Sequence, residues 1–148
     1  MKITKASDYA LRLMLALAQA NNDRAISVRT LSEEIDIPRS FLGNIVQKLS
    51  AAKLLITTKG AKGGLKLTRK PDNITALEVV QAVEGELALS GCQTENGCKH
   101  KGYCSVKPLM DQLHNQVSEL LGKTTIQSLM DLSKNKKWGK QNILNFSI

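Results

Sequence analysis

The first twenty residues place apolar side chains at the spacing of an α-helix. Apolar positions recur every three or four residues, which predicts a helix over Lys5–Gln19 with one face turned toward a core. Thr4 and Ser7 both carry hydroxyl groups suited to an N-cap. Asp8 and Arg12 stand one helical turn apart, where an ion pair could form on the exposed side.

Two further helical patterns follow a polar break and are separated by a tight turn. Ser27 is placed to cap a helix over Val28–Ile35, and Pro38 is suited to begin a helix that runs to about Ala52. Two short helices in this arrangement predict a helix-turn-helix. The residues expected to face inward on the last helix are Phe41, Leu42, Ile45, Val46 and Leu49. The residues expected to face outward are Arg39, Ser40, Gly43, Asn44 and Gln47.

A glycine-rich basic segment between two short strands comes next. Leu54–Thr58 and Leu65–Thr68 have the composition of strands, and they enclose Lys59–Gly64, which contains three glycines and two lysines. A hairpin after a helix-turn-helix predicts a winged helix, whose wing can set lysines against DNA phosphates or in the minor groove. Such lysines would position the protein, and base reading would fall to the third helix.

The carboxyl-terminal half contains a long amphipathic helix. It is expected to run from about Pro108 to Leu121 and to stop at Gly122, before a last short helix capped by Thr124 or Thr125. Because a helix-turn-helix that reads a symmetric operator usually acts as a dimer, we expect the long helix to join two copies of the chain. Its contact stripe would consist of Leu109, Leu113, Gln116, Val117, Leu120 and Leu121.

These patterns predict a mainly α fold with a small β hairpin, built as a winged helix-turn-helix plus a long carboxyl-terminal dimerisation helix. Thr75 would cap a short helix over Ala76–Val83 at the end of the winged helix. The expected units are a DNA-binding domain at 1–84, a cysteine-rich loop at 85–105, the dimerisation helix and short final helix at 106–133, and a tail at 134–148.

The net charge of +8 is concentrated in one segment. Residues 37–71 contain eight Lys and Arg residues and no Asp or Glu, whereas basic and acidic residues balance over the rest of the chain. A segment from which every acid is excluded fits a polyanion surface. Because aromatic residues make up only 3% of the chain, duplex DNA is a better expected partner than unpaired bases, which bind by stacking.

All three cysteines lie in one short stretch, at Cys92, Cys98 and Cys104, with five residues in each gap. A glycine stands one or two positions before each of them, so backbone N–H groups could approach the sulfur atoms closely. Three thiolates in such a loop favour a soft metal or an iron–sulfur cluster. Disulfides, a zinc site with His100 as fourth ligand, and free redox-active thiols beside lysines stay open as alternatives.

The sequence argues against several other classes of protein. No apolar run approaches the roughly 18 residues of a membrane span, so we expect no membrane association of that kind. Residues 1–20 offer only six uninterrupted apolar residues, fewer than a signal peptide uses, so we expect a cytoplasmic protein with reduced thiols. The two histidines, His100 and His114, accompany no nucleophile–base motif, so we do not expect an enzyme.

Four of these segments together resemble one known family. They are the opening Lys2–Arg12, the wing Lys59–Gly64, the start of the helix at Thr75–Val80, and the evenly spaced cysteines. Over about residues 1–133 the chain is similar to the Rrf-two family of bacterial winged-helix repressors, which includes the iron–sulfur cluster regulator IscR and the nitric oxide sensor NsrR. Members without the cysteines keep the DNA-binding half, so the cysteines, rather than family membership, imply a cluster.

The resemblance also implies a fourth ligand. IscR-like members place a histidine three residues after the third cysteine, where this chain has Lys107, whose protonated ammonium cannot ligate. NsrR-like members carry an aspartate in the first helix, supplied by the partner subunit, and Asp8 matches that position. The chain is therefore closer to NsrR, and a 4Fe–4S cluster is favoured over a 2Fe–2S cluster. His100 is the competing ligand, and an ion pair with Arg12 is the alternative role of Asp8.

The resemblance implies a DNA-binding transcriptional regulator, acting as a repressor, whose operator binding is controlled by a cluster that senses nitric oxide, oxygen or iron–sulfur status. The alternative is a homologous regulator without a cluster, controlled by cysteine oxidation or by a protein partner. The residues expected at the DNA belong to the helix-turn-helix and the wing, and they include Phe41 although its spacing also fits the inward face: Ser27, Arg29, Arg39, Ser40, Phe41, Gly43, Asn44, Gln47, Lys48, Lys59, Gly60, Lys62 and Gly63.

Overall fold

The computed structural model describes residues 4–20, 25–60, 63–90 and 103–134. In these ranges the chain is mostly helical with one antiparallel hairpin, so the predicted fold class is confirmed. The elements are α1 Lys5–Gln19, α2 Val28–Glu34, α3 Arg39–Ala51, β1 Leu55–Thr58, β2 Gly64–Leu67, a 3-10 turn Pro71–Asn73, α4 Ala76–Glu84, α5 Lys107–Lys123 and α6 Ile126–Lys134.

Helix α1 runs through an aliphatic core. Its inward residues, such as Leu13, are 0% exposed, which is the burial that the helical spacing predicted. Thr4 is the N-cap, because its side chain accepts a hydrogen bond from the backbone N–H of Ala6 at 3.1 Å. The prediction that Ser7 could cap the helix is wrong, since Ser7 lies inside α1, is fully buried and donates to Glu84.

The turn between α2 and α3 is fixed by its own hydrogen bonds. Asp36 adopts a left-handed φ of 51°, and the Ser32 hydroxyl donates to the carbonyl of Ile37 at 2.7 Å. Pro38 keeps an extended ψ of 136° and is therefore the N-cap rather than the first helical residue that we predicted. The turn delivers α3 at a defined angle to α2, as a helix-turn-helix requires.

Helix α3 buries a narrower stripe than its sequence predicts. Leu42, Ile45 and Leu49 are between 0% and 3% exposed, in agreement with the prediction. The predicted burial of Phe41 is wrong, because its side chain is 54% exposed. Phe41 lies one position, about 100° of helix rotation, away from the buried stripe, and its ring meets Tyr9 of α1 edge-on at 6.0 Å between centroids.

The hairpin is anchored at its base to the segment before α2. Ile26 and Leu65 exchange backbone hydrogen bonds of 3.0 and 2.8 Å across an antiparallel bridge. Gly64 permits this approach, since a Cβ built on it would lie 2.3 Å from the carbonyl oxygen of Ile26. The register pairs Leu55 with Leu67, Ile56 with Lys66, Thr57 with Leu65 and Thr58 with Gly64.

The last helix returns to the core instead of standing apart with α5. Ile126 of α6 is 0% exposed and belongs to the same buried cluster as the inward residues of α1. Thr124 accepts a backbone hydrogen bond from Ala76 at 2.7 Å, and Ile126 donates one to Ile74 at 2.9 Å. Thr125 caps α6, because its hydroxyl accepts the N–H of Ser128 at 3.0 Å.

Helix α5 lies against α4 but has no buried residue along Lys107–Lys123. The prediction that it stops at Gly122 is wrong, since Gly122 is helical and Thr124 is the C-cap. Within the parts of the chain that the structure describes, no helix is both long enough and apolar enough to cross a membrane.

Candidate nucleic-acid interface

The open face of α3 is mainly polar, with a cation at Arg39, and it also includes the exposed ring of Phe41. The five residues predicted to face outward are all exposed: Arg39, Ser40, Gly43, Asn44 and Gln47. They combine a cation with hydroxyl and amide groups, which can donate to and accept from the edges of bases in a major groove. The helix can present them because Leu42, Ile45 and Leu49 hold its opposite face in the core.

A carboxylate holds two of the predicted DNA-contacting arginines together. Glu33 on α2 lies 3.1 Å from the guanidinium of Arg29 and 3.6 Å from that of Arg39, measured between the paired nitrogen and oxygen atoms. All three side chains are more than half exposed, so the pairs are screened by water and a phosphate could replace the carboxylate. Sequence reasoning missed Glu33, although its position four residues after Arg29 was a usable signal.

Two other predicted DNA contacts also have roles inside the chain. The Ser27 side chain is exposed but caps α2, because it accepts the N–H of Thr30 at 3.1 Å. Lys48 points toward α4, and its ammonium group donates to the carbonyl of Val83 at 2.6 Å. Lys48 therefore ties α3 to the end of α4, a role that the acid-free charge run did not reveal.

The wing presents Lys59 and Gly60 to solvent at the end of the hairpin. Gly60 has a φ of +111°, and its carbonyl accepts the N–H of the half-buried Gly63 at 2.8 Å, which closes the turn. Lys62 lies outside the described residues. The exposed tip and the open face of α3 both belong to the segment 37–71, which contains no acid.

The predicted cluster ligands are only partly within the described residues. Cys104 is half-buried and free of any disulfide, whereas Cys92, Cys98 and His100 lie outside the described ranges. Asp8 pairs with Arg12 at 3.0 Å, and 49% of its side chain remains exposed. In the described ranges, no group of three or more His, Cys, Asp or Glu residues is placed to hold a metal ion.

A second carboxylate joins α1 to the end of α4. Glu84 accepts hydrogen bonds from the Ser7 hydroxyl at 2.6 Å and from the Thr4 hydroxyl. These bonds, the Ser7 bond above all, hold the pKa of Glu84 below its usual value of 4.5, and the nearby charge of Lys48 acts in the same direction. Sequence reasoning missed Glu84, because its partners lie 77 and 80 residues away along the chain.

The open face of α5 is apolar where the open face of α3 is polar. Leu109, Leu113 and Leu120 are 54%, 39% and 46% exposed, and they recur at helical spacing along one side. Lys107, at the position where an IscR-like histidine would stand, forms an ion pair with Asp111 on the same helix. The stripe predicted to contact another chain is therefore largely solvent-facing in the single chain.

Comparison with known proteins identifies the family. The sequence pattern of the Rrf2 family, described as iron-dependent transcriptional regulators, matches residues 3–132. The chain belongs to the Rrf2 family. This match confirms the resemblance drawn from the sequence. It ends within α6, the last described helix.

Named relatives of this Rrf2 chain are transcriptional regulators. It is 29% identical over 130 residues to IscR of Aliivibrio salmonicida, covering 88% of this chain and 77% of that protein. It is 29% identical over 132 residues to NsrR of Shouchella clausii, covering 88% and 89%. Among solved structures it is similar to CymR, the global cysteine regulator of B. subtilis, with a TM-score of 0.74, 26% identity, and coverage of 89% of this chain and 98% of that one.

The family match and the geometry agree on the general role. The Rrf2 chain is a transcriptional regulator with a winged-helix DNA-binding fold, as the sequence predicted. Within that fold, α3 is the recognition helix and the β1–β2 hairpin is the wing.

Proposed function

We propose that this Rrf2 protein is a homodimeric repressor whose binding to a duplex operator is controlled by an iron–sulfur cluster. Cys92, Cys98 and Cys104 would hold the cluster, with Asp8 of the second copy as fourth ligand. The observation that carries the proposal has two parts. One chain contains both a winged helix and three evenly spaced cysteines, and the Asp8 side chain on α1 is 49% exposed.

The donor set suits iron. Three thiolates and one carboxylate match the ligands of iron–sulfur clusters in which one cysteine is replaced, and the Cys104 thiol is free for such a bond. A bound cluster would supply a centre that reacts with nitric oxide and oxygen, and a 4Fe–4S cluster is favoured over a 2Fe–2S one. The carboxylate is the hardest and weakest of the four ligands, so it is the bond expected to open first.

A side-chain contact links the proposed ligand to the recognition helix. Tyr9, the residue after Asp8, packs edge-on against Phe41 of α3 with ring centroids 6.0 Å apart. If Asp8 is held by the second copy, α1 is fixed across the dimer and the α3 of each copy is fixed with it. Release of Asp8 would alter the distance between the two recognition helices and hence the affinity for a symmetric operator.

Helix α5 is the proposed dimer contact. Its exposed leucines form an apolar stripe on the surface of the chain. In a dimer with a twofold axis, the stripe of each copy would pack against the stripe of the other. The same axis would bring two winged helices to adjacent half-sites, as a repressor of this fold needs.

An anaerobic experiment tests the cluster and its fourth ligand together. Wild type, Asp8→Ala and the control Asp72→Ala, which removes an exposed acid from the 3-10 turn, are purified without oxygen and examined by visible absorption and native mass spectrometry. We expect a brown wild type with about four irons per chain and an altered spectrum only in Asp8→Ala. A colourless protein after reconstitution with iron and sulfide would refute the cluster.

A cluster-free thiol switch is the second candidate. It is supported by the likeness to the global cysteine regulator at 26% identity and by the free, half-buried thiol of Cys104. In that case the protein stays colourless, and a mild oxidant changes operator affinity in a way that a thiol reductant reverses. Cys104→Ser would abolish that response without changing DNA binding by the reduced protein.

A further inference from the structure

Gly43 occupies a helical position for which the fold of the single chain gives no reason to use glycine. It is the fifth of the thirteen residues of α3, and it is not among the glycines of positive φ. A Cβ built on Gly43 would meet no atom within 4 Å. Glycine in a helix interior destabilises the helix relative to alanine, because it loses more backbone freedom on folding.

The other glycine inside a described helix lies in the last turn of that helix and packs against a neighbour. Gly122 lies at the end of α5, and a Cβ there would make a normal contact of 3.8 Å with a methyl group of Leu77. Gly43 has no such neighbour and lies on the exposed face of α3. No described atom of the chain limits the size of residue 43, so the constraint that we infer below comes from outside the single chain.

The neighbours of Gly43 show which partner approaches it. Ser40, Asn44 and Gln47 share its face at helical spacing, and all are exposed and able to hydrogen-bond to base edges. The segment 37–71 contains no acid, and the carboxylate of Glu33, which contacts Arg39 from α2, is exposed enough for a phosphate to replace it. The open face therefore has no side chain at its centre, Gly43, and this position is surrounded by polar groups that can hydrogen-bond to base edges in a major groove.

We propose that Gly43 is the point of closest approach between α3 and the bases of the operator, and that it sets the discrimination between operator and random DNA. The missing side chain lets the helix backbone sit deep enough in the major groove for Asn44 and Gln47 to reach the bases. The same glycine makes α3 less stable than an alanine at this position would. This inference rests on the proposed function only in that α3 enters the major groove of a specific operator.

The test separates helix stability from base reading. The full chain is compared as wild type, Gly43→Ala and the matched control Gly122→Ala, each as purified apo protein and after anaerobic reconstitution with iron and sulfide. The probes are a 30-base-pair duplex that the wild type selects from a random-sequence library, and an unselected random duplex. Thermal unfolding and fluorescence anisotropy at several salt concentrations are measured.

Opposite changes in stability and recognition are expected from the one added methyl group. Gly43→Ala should raise Tm by a few degrees, because it improves helix propensity, and should weaken binding to the selected duplex at least tenfold. Its affinity for the random duplex and its salt slope should stay unchanged, since no phosphate contact is lost. Gly122→Ala should bind both duplexes like the wild type.

Four results would overturn this inference. Gly43→Ala binding the selected duplex within twofold of wild type would show that DNA tolerates a side chain there, while the proposed function stands. A fall in Tm would mean that the fold itself needs the glycine, and an equal loss on both duplexes would place residue 43 at the phosphates. A wild type that enriches no sequence at all would overturn the proposed function as well.

Discussion

Helices α3 and α5 each leave one face open to solvent, and the two faces have opposite chemistry. Helix α3 buries three aliphatic residues and exposes hydroxyl, amide and guanidinium groups together with the ring of Phe41. Helix α5 buries no residue and exposes leucines. An apolar face is stabilised when another protein surface covers it, whereas a basic polar face keeps its solvation until a polyanion arrives. The two helices are therefore suited to two kinds of partner.

The distribution of charge sharpens the same contrast. Helix α5 pairs its cations with acids one turn away, Lys107 with Asp111 and Lys123 with Glu119. Helix α3 contains no acidic residue, and Glu33, which contacts Arg39, comes from α2. The ion pairs of α5 neutralise the rim of an apolar stripe. On α3, Lys48 donates to Val83, whereas the contact of the exposed Arg39 with Glu33 is screened by water, so a phosphate could replace the carboxylate.

The largest expected effect is on stability, and it differs between the two helices because α3 has buried leucines and α5 has none. Leu49→Ala in α3 removes a side chain that is 0% exposed, so we expect a loss of about 2–5 kcal/mol in the free energy of unfolding at any protein concentration. Leu120→Ala in α5 removes one that is 46% exposed, and its effect should appear only at concentrations where the dimer forms. Denaturant titrations at two protein concentrations make the measurement. Equal, concentration-independent losses would place α5 in the core of the single chain.

A charge on the α5 stripe should weaken dimerisation almost as strongly. Leu113→Glu would place a carboxylate in a desolvated contact, and we expect dimer affinity to fall about 100-fold, roughly 2.7 kcal/mol. Sedimentation equilibrium measures the change. Ile56→Glu is the matched control, since Ile56 is 46% exposed on the wing strand β1 and lies outside the stripe. A dimer that survives Leu113→Glu and dissociates in Ile56→Glu would move the interface to the wing.

The features that follow from local periodicity could be predicted from the sequence. The bounds of α1 and the caps at Thr4 and Ser27 were predicted correctly, because spacing and hydroxyl positions determine them locally. Phe41 was placed in the core wrongly, since an aromatic residue beside a buried stripe fits the same spacing until the width of the stripe is known. The even spacing of the cysteines predicts a metal site, but cysteine spacing alone does not identify a fourth ligand.

Contacts between distant parts of the chain could not be predicted in this way. The bonds of Glu84 to Thr4 and Ser7 and the bond of Lys48 to Val83 depend on how α1, α3 and α4 pack together. Single-sequence patterns contain no signal for such pairs. The charge run predicts which side of the molecule faces DNA, yet it could not show that the Lys48 ammonium group donates to the carbonyl of Val83.

A smaller effect is expected on the DNA side, at the wing. Lys59→Ala should weaken binding about fivefold on selected and random duplexes alike and reduce the salt slope by about one, because it removes one phosphate contact. Lys62→Ala should act in the same way. Lys123→Ala is the matched control, being an equally exposed lysine at the end of α5. An unchanged salt slope in Lys59→Ala would remove the wing from the interface, and a changed slope in Lys123→Ala would bring α5 into it.

The smallest expected effect is a pH-dependent change in stability, at the hydrogen bonds that join α4 to α1. The Ser7 and Thr4 hydrogen bonds lower the folded-state pKa of Glu84, so its ionised form stabilises the folded chain. Because the folded pKa is the lower one, this contribution is complete above the unfolded value of 4.5 and is lost as pH falls through the folded value. Glu84→Gln should therefore cost about 0.5–1 kcal/mol at pH 7, with a difference from wild type that disappears in acid. Urea titrations between pH 7 and pH 3 measure it. Glu86→Gln, which removes an exposed acid two residues beyond, is the matched control. A pH-independent loss in Glu84→Gln would mean that the side chain acts through packing and not through its charge.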